Sequence, residues 1–183
     1  MNFIELESER LIFRKFKQED LPVISEFFGN AENMKYRMSE PKTEIETREY
    51  LNRIISGEDV KEGNYTFAVD LKSENLLIGY CGFFNMPNAP EVHWFLHNTY
   101  WRQGYGTEIG RTMLRFGFET LNLRRIIAGC NARNTGSYKI MEKIGMRREA
   151  NFIKAQKGNS ALNYEWCDRL QYAILKEEWE ANK

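Results

Sequence analysis

Neither sign of charge is in excess in this sequence: 26 Lys and Arg face 26 Asp and Glu. A dedicated nucleic-acid binder needs a basic surface to neutralise phosphates, so no direct nucleic-acid binding is expected. Cysteine is scarce. Cys81, Cys130 and Cys167 are odd in number, widely spaced and without a CxxC pair. That argues against a structural zinc site or a secreted disulfide framework, and no metal is expected. Long apolar runs are missing too. The longest, 76–84, is far too short to span a bilayer, and the first ten residues hold no apolar signal core. No Pro/Gly/Ser-rich linker, internal repeat or low-complexity stretch divides the chain. The expectation is one soluble, cytoplasmic domain over 1–183 in a reducing compartment, with no membrane partner.

What is present is a globular composition, 42% hydrophobic and 14% aromatic. A strand is expected over Leu11–Phe16. Leu21, Ile24, Phe27 and Phe28 then share one helix face, with Asp20 placed to cap its start and Gly29-Asn30 to stop it. A second helix, from about Glu44 to Ile55, should bury Ile45, Leu51, Ile54 and Ile55, and Gly57 should end it. The period then falls to two over Tyr65–Asp70 and Leu76–Phe84, a hairpin, and again over Glu91–His97. In that last strand Glu91, His93, Phe95 and His97 alternate with Val92, Trp94 and Leu96. A helix from about Thr107 to Thr120 follows, with Ile109, Met113, Leu114, Phe116 and Phe118 inward. Next come a strand over Arg125–Cys130 and a helix over Asn134–Lys143 closed by Gly145. Two strands, Met146–Ala155 and Leu162–Leu175, complete the order βααβββαβαββ. This is an α/β (α+β) mixed sheet flanked by helices.

The segment 101–107, WRQGYGT, links a strand to a helix. Such a turn aims backbone N–H groups and the positive end of a helix dipole at one point, where phosphate is the natural ligand. Gly104 and Gly106 would let the backbone approach it without a Cβ. The Rossmann spacing fails because Ile109 stands where the third glycine is required, and no Gly-Lys of an ATP-type loop occurs. A plain tight turn before a helix fits this loop about equally well.

The segment 91–150 resembles the GNAT acyltransferase superfamily, and more narrowly the RimJ/RimL-type ribosomal-protein-alanine N-acetyltransferases. Three features carry the resemblance: a strand running to Tyr100-Trp101; Gly104-Tyr105-Gly106-Thr107-Glu108; and Asn134 and Ser137 followed by Glu142-Lys143 and Gly145. The opening 8–21 and the closing 172–179 are similar to the family's ends, so the likeness covers nearly the whole chain. It implies a centrally splayed sheet that binds acetyl-CoA as co-substrate. Trp94, Phe95 and Leu96 would pair with the pantetheine arm. The amides of Arg102, Gln103, Gly104, Tyr105, Gly106 and Thr107 would hold the pyrophosphate, with charge added by Arg102. Asn134 would bond the pantetheine, and Ser137 would lie near the thiol.

The implied reaction is direct attack of a neutral amine on the thioester in a ternary complex. The oxyanion needs a donor placed where charge develops, for which the resemblance offers the N–H of Phe95 or Leu96. Many relatives place a tyrosine general acid where this chain has Met141, and Ser137 is the substitute. Glu91, acting through a water, is the candidate base, with His93 behind it. A strand-end Glu or His is equally a solvated surface residue. At neutral pH roughly a tenth of α-amines but only about one lysine in 2,500 is neutral. The expected acceptor is therefore a primary amine, first a protein or peptide N-terminus. Two other functions fit: a non-catalytic CoA-binding sensor or partner-binding module, and an aminoglycoside or polyamine acetyltransferase. A monomer or homodimer is expected.

Overall fold

The computed structural model describes residues 4–61 and 64–182. Short strands β1 (Leu6–Glu7) and β2 (Leu11–Arg14) lead into α1 (Leu21–Gly29), the single turn α2 (Ala31–Met34), α3 (Glu44–Ile55) and the short α4 (Glu58–Lys61). Strands β3 (Tyr65–Leu71), β4 (Leu76–Phe84) and β5 (Glu91–Leu96) follow. The rest is α5 (Tyr105–Arg115), β6 (Arg125–Asn131), α6 (Thr135–Lys143), β7 (Arg147–Lys157), β8 (Trp166–Leu175) and α7 (Lys176–Ala181). The expected order is there, with β1, α2, α4 and α7 added to it.

The strands form one eight-stranded sheet in the order β1-β2-β3-β4-β5-β6-β8-β7. All neighbours are antiparallel except β5 and β6, which are parallel. Side chains alternate across the sheet, so each strand feeds two layers. Val92, Leu96, Ile126, Ala128, Leu170 and Tyr172 join Ile109, Met113 and Met141 on the α5–α6 face. Phe95, Tyr80 and Ala68 join Ile24, Phe27, Phe28 and Leu51 on the α1–α3 face.

Several local expectations are corrected. Asp20 does not cap α1 with its side chain. Its carboxylate accepts from Lys17 N–H at 2.9 Å and from both terminal nitrogens of Arg14 at 2.8 Å. Arg14 also bonds both oxygens of Asp70, at 2.6 and 2.8 Å, so one guanidinium ties the start of α1 to β2 and β3. Helix α3 has the expected bounds and is stopped at Gly57, with φ +76°. Its start is fixed by Thr43 and Glu46, each side chain accepting the other's backbone N–H. Its inward face differs, however. Ile45 is 71% exposed and Ile55 39%, while Thr47 and Leu51 are buried. Thr47 is tolerated inside because its hydroxyl donates to Thr43 C=O at 2.9 Å.

Helix α5 begins two residues earlier than predicted. It ends by widening into a turn over Phe116–Thr120, where Leu121 N–H reaches Phe116 C=O at 3.0 Å. The extra residue in that turn keeps both Phe116 and Phe118 in the core. The last hairpin is also connected differently. Residues 162–165 belong to its loop, not to β8. Asn159 at the loop's start donates to Met34 C=O and Ser39 C=O, which anchors the loop to the segment after α2.

Candidate active site

The parallel strands β5 and β6 share a single rung, Glu91 opposite Ile127, where Ile127 N–H donates to Pro90 C=O at 3.0 Å. Beyond that rung no further pairing joins them, so a gap opens toward Leu96 and Asn131. Backbone hydrogen-bonding direction alternates along a strand. Pro90 C=O faces β6, and His97 N–H faces β4, where it donates to Ile78 C=O at 3.0 Å. With β4 and β5 in one-to-one register, the backbone groups of Trp94 and Leu96 therefore face the gap. Those of Phe95 face β4. Phe95 is thus corrected as a source of gap-facing groups, for the cofactor arm and for the oxyanion alike. Leu96 keeps its N–H toward the gap, but its C=O already accepts from the Trp101 indole at 2.8 Å.

The loop at the end of the gap is wound tightly. Arg102 has φ +62° and Gly104 φ +86°, and Gly104 stands as the N-cap of α5 with no side chain satisfying the helix end. The first intrahelical bond is Glu108 N–H to Gly104 C=O at 3.1 Å, which leaves the amides of Tyr105, Gly106 and Thr107 outside the ladder. The loop is held from below. Arg10 donates to Gln103 C=O, pairs with Glu108 at 2.7 Å and covers the Tyr105 ring. Burial opposes ionisation of Glu108, but Arg10 N–H, the Ser8 hydroxyl and the Arg10 guanidinium hold its carboxyl below the usual range. A hollow of about 470 Å³ lined by Glu32, Asn98, Thr99, Trp101 and Arg102 opens beside the loop.

Gly106 has a different role from the one expected. A Cβ there would lie 2.5 Å from Ile140 Cδ1. Gly106 therefore lets α6 approach α5, and the phosphate argument rests on Gly104. The start of α6 is internally satisfied: Asn134 Oδ1 accepts Ser137 N–H at 3.1 Å. Only the Asn134 amide nitrogen remains to reach another partner. Ser137 lies beside Cys130, whose thiol burial pushes up to about 11 against a hydrogen bond with Ser137. Met141, at the position that the resemblance gives to a tyrosine general acid, is buried in the core.

On the α1–α3 face, Glu91 is not a free carboxylate. Its Oε1 accepts from Arg169 at 2.9 Å, and Arg169 also donates to Gln171 at 3.2 Å. Arg169 comes from β8 and crosses β6 at Gly129, where a Cβ would sit 2.3 Å from the guanidinium. His93 stacks on Phe84 with ring centroids 3.8 Å apart, and both its nitrogens are shut off from solvent without a partner. Burial, and then the charge of Arg37, push its pKa down to about 3. The guanidinium of Arg37, on the segment after α2, lies 5.4 Å from the centre of the Phe95 ring.

Arg169 and Asn131 escape the sequence reading, whereas Arg37 falls, with Met34, Tyr36 and Met38, on the loop that the resemblance gives to the acceptor pocket, packing being the other role open to each. Arg169 could have been found from the polar alternation of Arg169 and Gln171 in β8 opposite Gly129. Arg37 sits in a segment with no period, so only the resemblance, and no local pattern, marks it.

Such a gap between parallel strands, with a bare helix end at its mouth, suits a ligand that pairs like a strand and ends in phosphates. Residues 10–147 match the family described as Acetyltransferase (GNAT) domain. The chain belongs to the GNAT family and is an N-acetyltransferase. It is 35% identical over 179 residues to the Uncharacterized N-acetyltransferase YnaD of Bacillus subtilis (strain 168), covering 96% of this chain and 99% of that protein. A solved GNAT-family acetyltransferase from Bacillus anthracis matches at 35% identity and TM-score 0.83, over 95% and 99% of the two chains. At 20% identity, spermidine N-acetyltransferase from Vibrio cholerae, solved with CoA and spermine, shares the fold at TM-score 0.80, over 94% and 99%. Among the described residues no helix is long and apolar enough to cross a membrane.

Proposed function

We propose that this enzyme transfers the acetyl group of acetyl-CoA to an α-amine, first of all the N-terminus of a protein or peptide, as in the RimJ/RimL-type enzymes it resembles. The observation that carries this reading is that, among the described residues, neither candidate base at the gap is a free, strong base. Glu91 is engaged by Arg169, and the depressed pKa of His93 makes its ring a poor proton acceptor at neutral pH. An α-amine, with a pKa of about 7.7–8.0, supplies its own neutral fraction; a lysine or polyamine nitrogen near 10 does not.

The residues at the gap fit acetyl-CoA, which supplies an acyl group already activated as a thioester. Trp94 offers N–H and C=O, and Leu96 an N–H, toward its pantetheine arm and thioester oxygen. The amides of Gln103, Gly104, Tyr105, Gly106 and Thr107 cradle the pyrophosphate, with Arg102 adding charge. The Asn134 amide nitrogen and the Ser137 hydroxyl serve the thiol end. A thiol leaving near pH ~8.5 needs only modest help, which Ser137 can give without a tyrosine. The three buried cysteines are free, in keeping with a cytoplasmic setting.

Thiol release from acetyl-CoA, measured with α-amine peptides, blocked peptides carrying only lysine, and spermidine, tests the reading. Turnover confined to, or at least tenfold better with, the free α-amines is expected. Efficient spermidine turnover with silent α-amines would overturn it in favour of a polyamine enzyme.

A further inference from the structure

The arginines of this molecule that leave full solvent mostly rest on a carboxylate: Arg10 on Glu108, Arg14 on Asp20 and Asp70, Arg125 on Glu149, Arg169 on Glu91. Arg37 is half-buried against Phe95, yet among the described residues its guanidinium has neither an ion pair nor a hydrogen bond. A guanidinium carries five donors in a fixed fork, and the nitrogens of this one still reach solvent, so they are free to take an acceptor that a ligand brings. The segment bearing it is held in place. Tyr36 C=O accepts from Gln156 at 3.2 Å, and Met34 C=O and Ser39 C=O both accept from Asn159.

An enclosed donor without a partner lies across the gap. Asn131 is buried; its Oδ1 accepts Arg133 N–H, but its Nδ2 has no partner. Phe95 and Asn131 both stand four residues beyond the Glu91–Ile127 rung, one on each lip, and both face the α1–α3 side. Buried polar atoms without partners are rare in native proteins, and each asks what completes it. Both groups here are donors, one of them cationic. What they lack is an anion at the acceptor side.

We propose that the acceptor carries a carboxylate within a few ångströms of its amine, and that Arg37, with Asn131 opposite, is the specificity determinant that holds it. The inference rests on the α-amine reading and narrows it. A fork–fork contact with a planar carboxylate suits arginine. The same charge repels a polyamine, which arrives with two or more positive charges. The carboxylate has two sources that leave the amine peptide-like: the side chain of an N-terminal Asp or Glu in a peptide, or the C-terminal carboxylate of a dipeptide.

The test compares acceptors that differ only in that group. One arm pairs peptides beginning Asp or Glu with peptides beginning Asn or Gln. The other pairs the dipeptides Ala-Ala and Ala-Gly with their C-terminal amides, whose amines titrate alike. Thiol release with the wild-type protein should give kcat/KM at least tenfold higher for the carboxylate member of one arm, mostly through KM; the arm names the source. Arg37→Met, which keeps an apolar stem over Phe95, should bring that ratio to about one. Calorimetry of the same pairs against the CoA-bound protein should show the same preference without turnover. Ratios near one in both arms for the wild type overturn the proposal even if the variant fails to fold. So does Arg37→Met lowering both members equally. If no α-amine is turned over, the function reading fails, and calorimetry alone decides whether the carboxylate preference exists.

Discussion

The two sides of the splayed sheet are finished to different degrees. Toward α5 and α6 the polar atoms are satisfied or set aside. Asn134 closes the end of α6, Gly106 admits Ile140, and the N-terminus of α5 is left without a side-chain cap. Toward α1–α3 the partners run out: both nitrogens of His93 and the amide of Asn131 are unpaired, and Arg37 rests only on a ring. The difference follows from what each side meets. On the proposed assignment, one side meets the same cofactor in every turnover and can be completed in advance, and the other is completed by the acceptor, whose chemistry its unsatisfied atoms would outline.

The largest expected effect that sharpens this contrast is one of pH. The unfolded chain protonates His93 near 6.5, whereas the folded one does so only at about 3. Between those values the unfolded state binds the extra proton, so stability falls as pH drops, by up to about 1.4 kcal/mol per pH unit. Urea melts from pH 7 to 4 should show this slope, and His93→Phe should flatten it. Next, Gly106→Val forces a branched side chain against Ile140 on the finished side. A loss of about 1–3 kcal/mol is expected, read as a melting temperature lower by about 2–10 °C. Asn134→Ala removes the α6 cap and should cost about 1 kcal/mol, while Asn134→Asp should keep most of it. The smallest effect is expected at Glu91. If the amine needs no base, Glu91→Gln should change kcat within about threefold, whereas loss of a general base costs on the order of 10²–10⁴.

What could be read from the sequence was set by the range of the interaction. Elements fixed by neighbours in the chain are legible. The bounds of β4 and of α3, with its Thr43–Glu46 cap, match their local signals. So does the left-handed Gly145 after α6, with φ +88°. Errors begin where distant contacts choose between local options. Periodicity alone could not tell which stripe of α3 faces inward, and the choice of Thr47 over Ile45 depends on how α1 and the sheet lie beneath it. The start of β8 was placed early because Asn159, reaching back to Met34, holds 162–165 in a loop. At the site, the loop before α5 is visible as a glycine pattern. The Glu91–Arg169 pair joins residues 78 apart and needs β8 beside β6, which the chain order does not announce. Arg37 reaches Phe95 from a segment without regular structure.

The single rung between β5 and β6 has a mechanical consequence. Five strands lie on one side of it and three on the other, and each set is laced by its own antiparallel ladders. Rotating one set against the other about Glu91 and Ile127 breaks no other backbone pair in the sheet. Backbone pairing thus stiffens each blade but not the joint, where the spacing of the blades is set by side chains packed across it, Val92 and Leu96 against Ile126, Met113 and Met141.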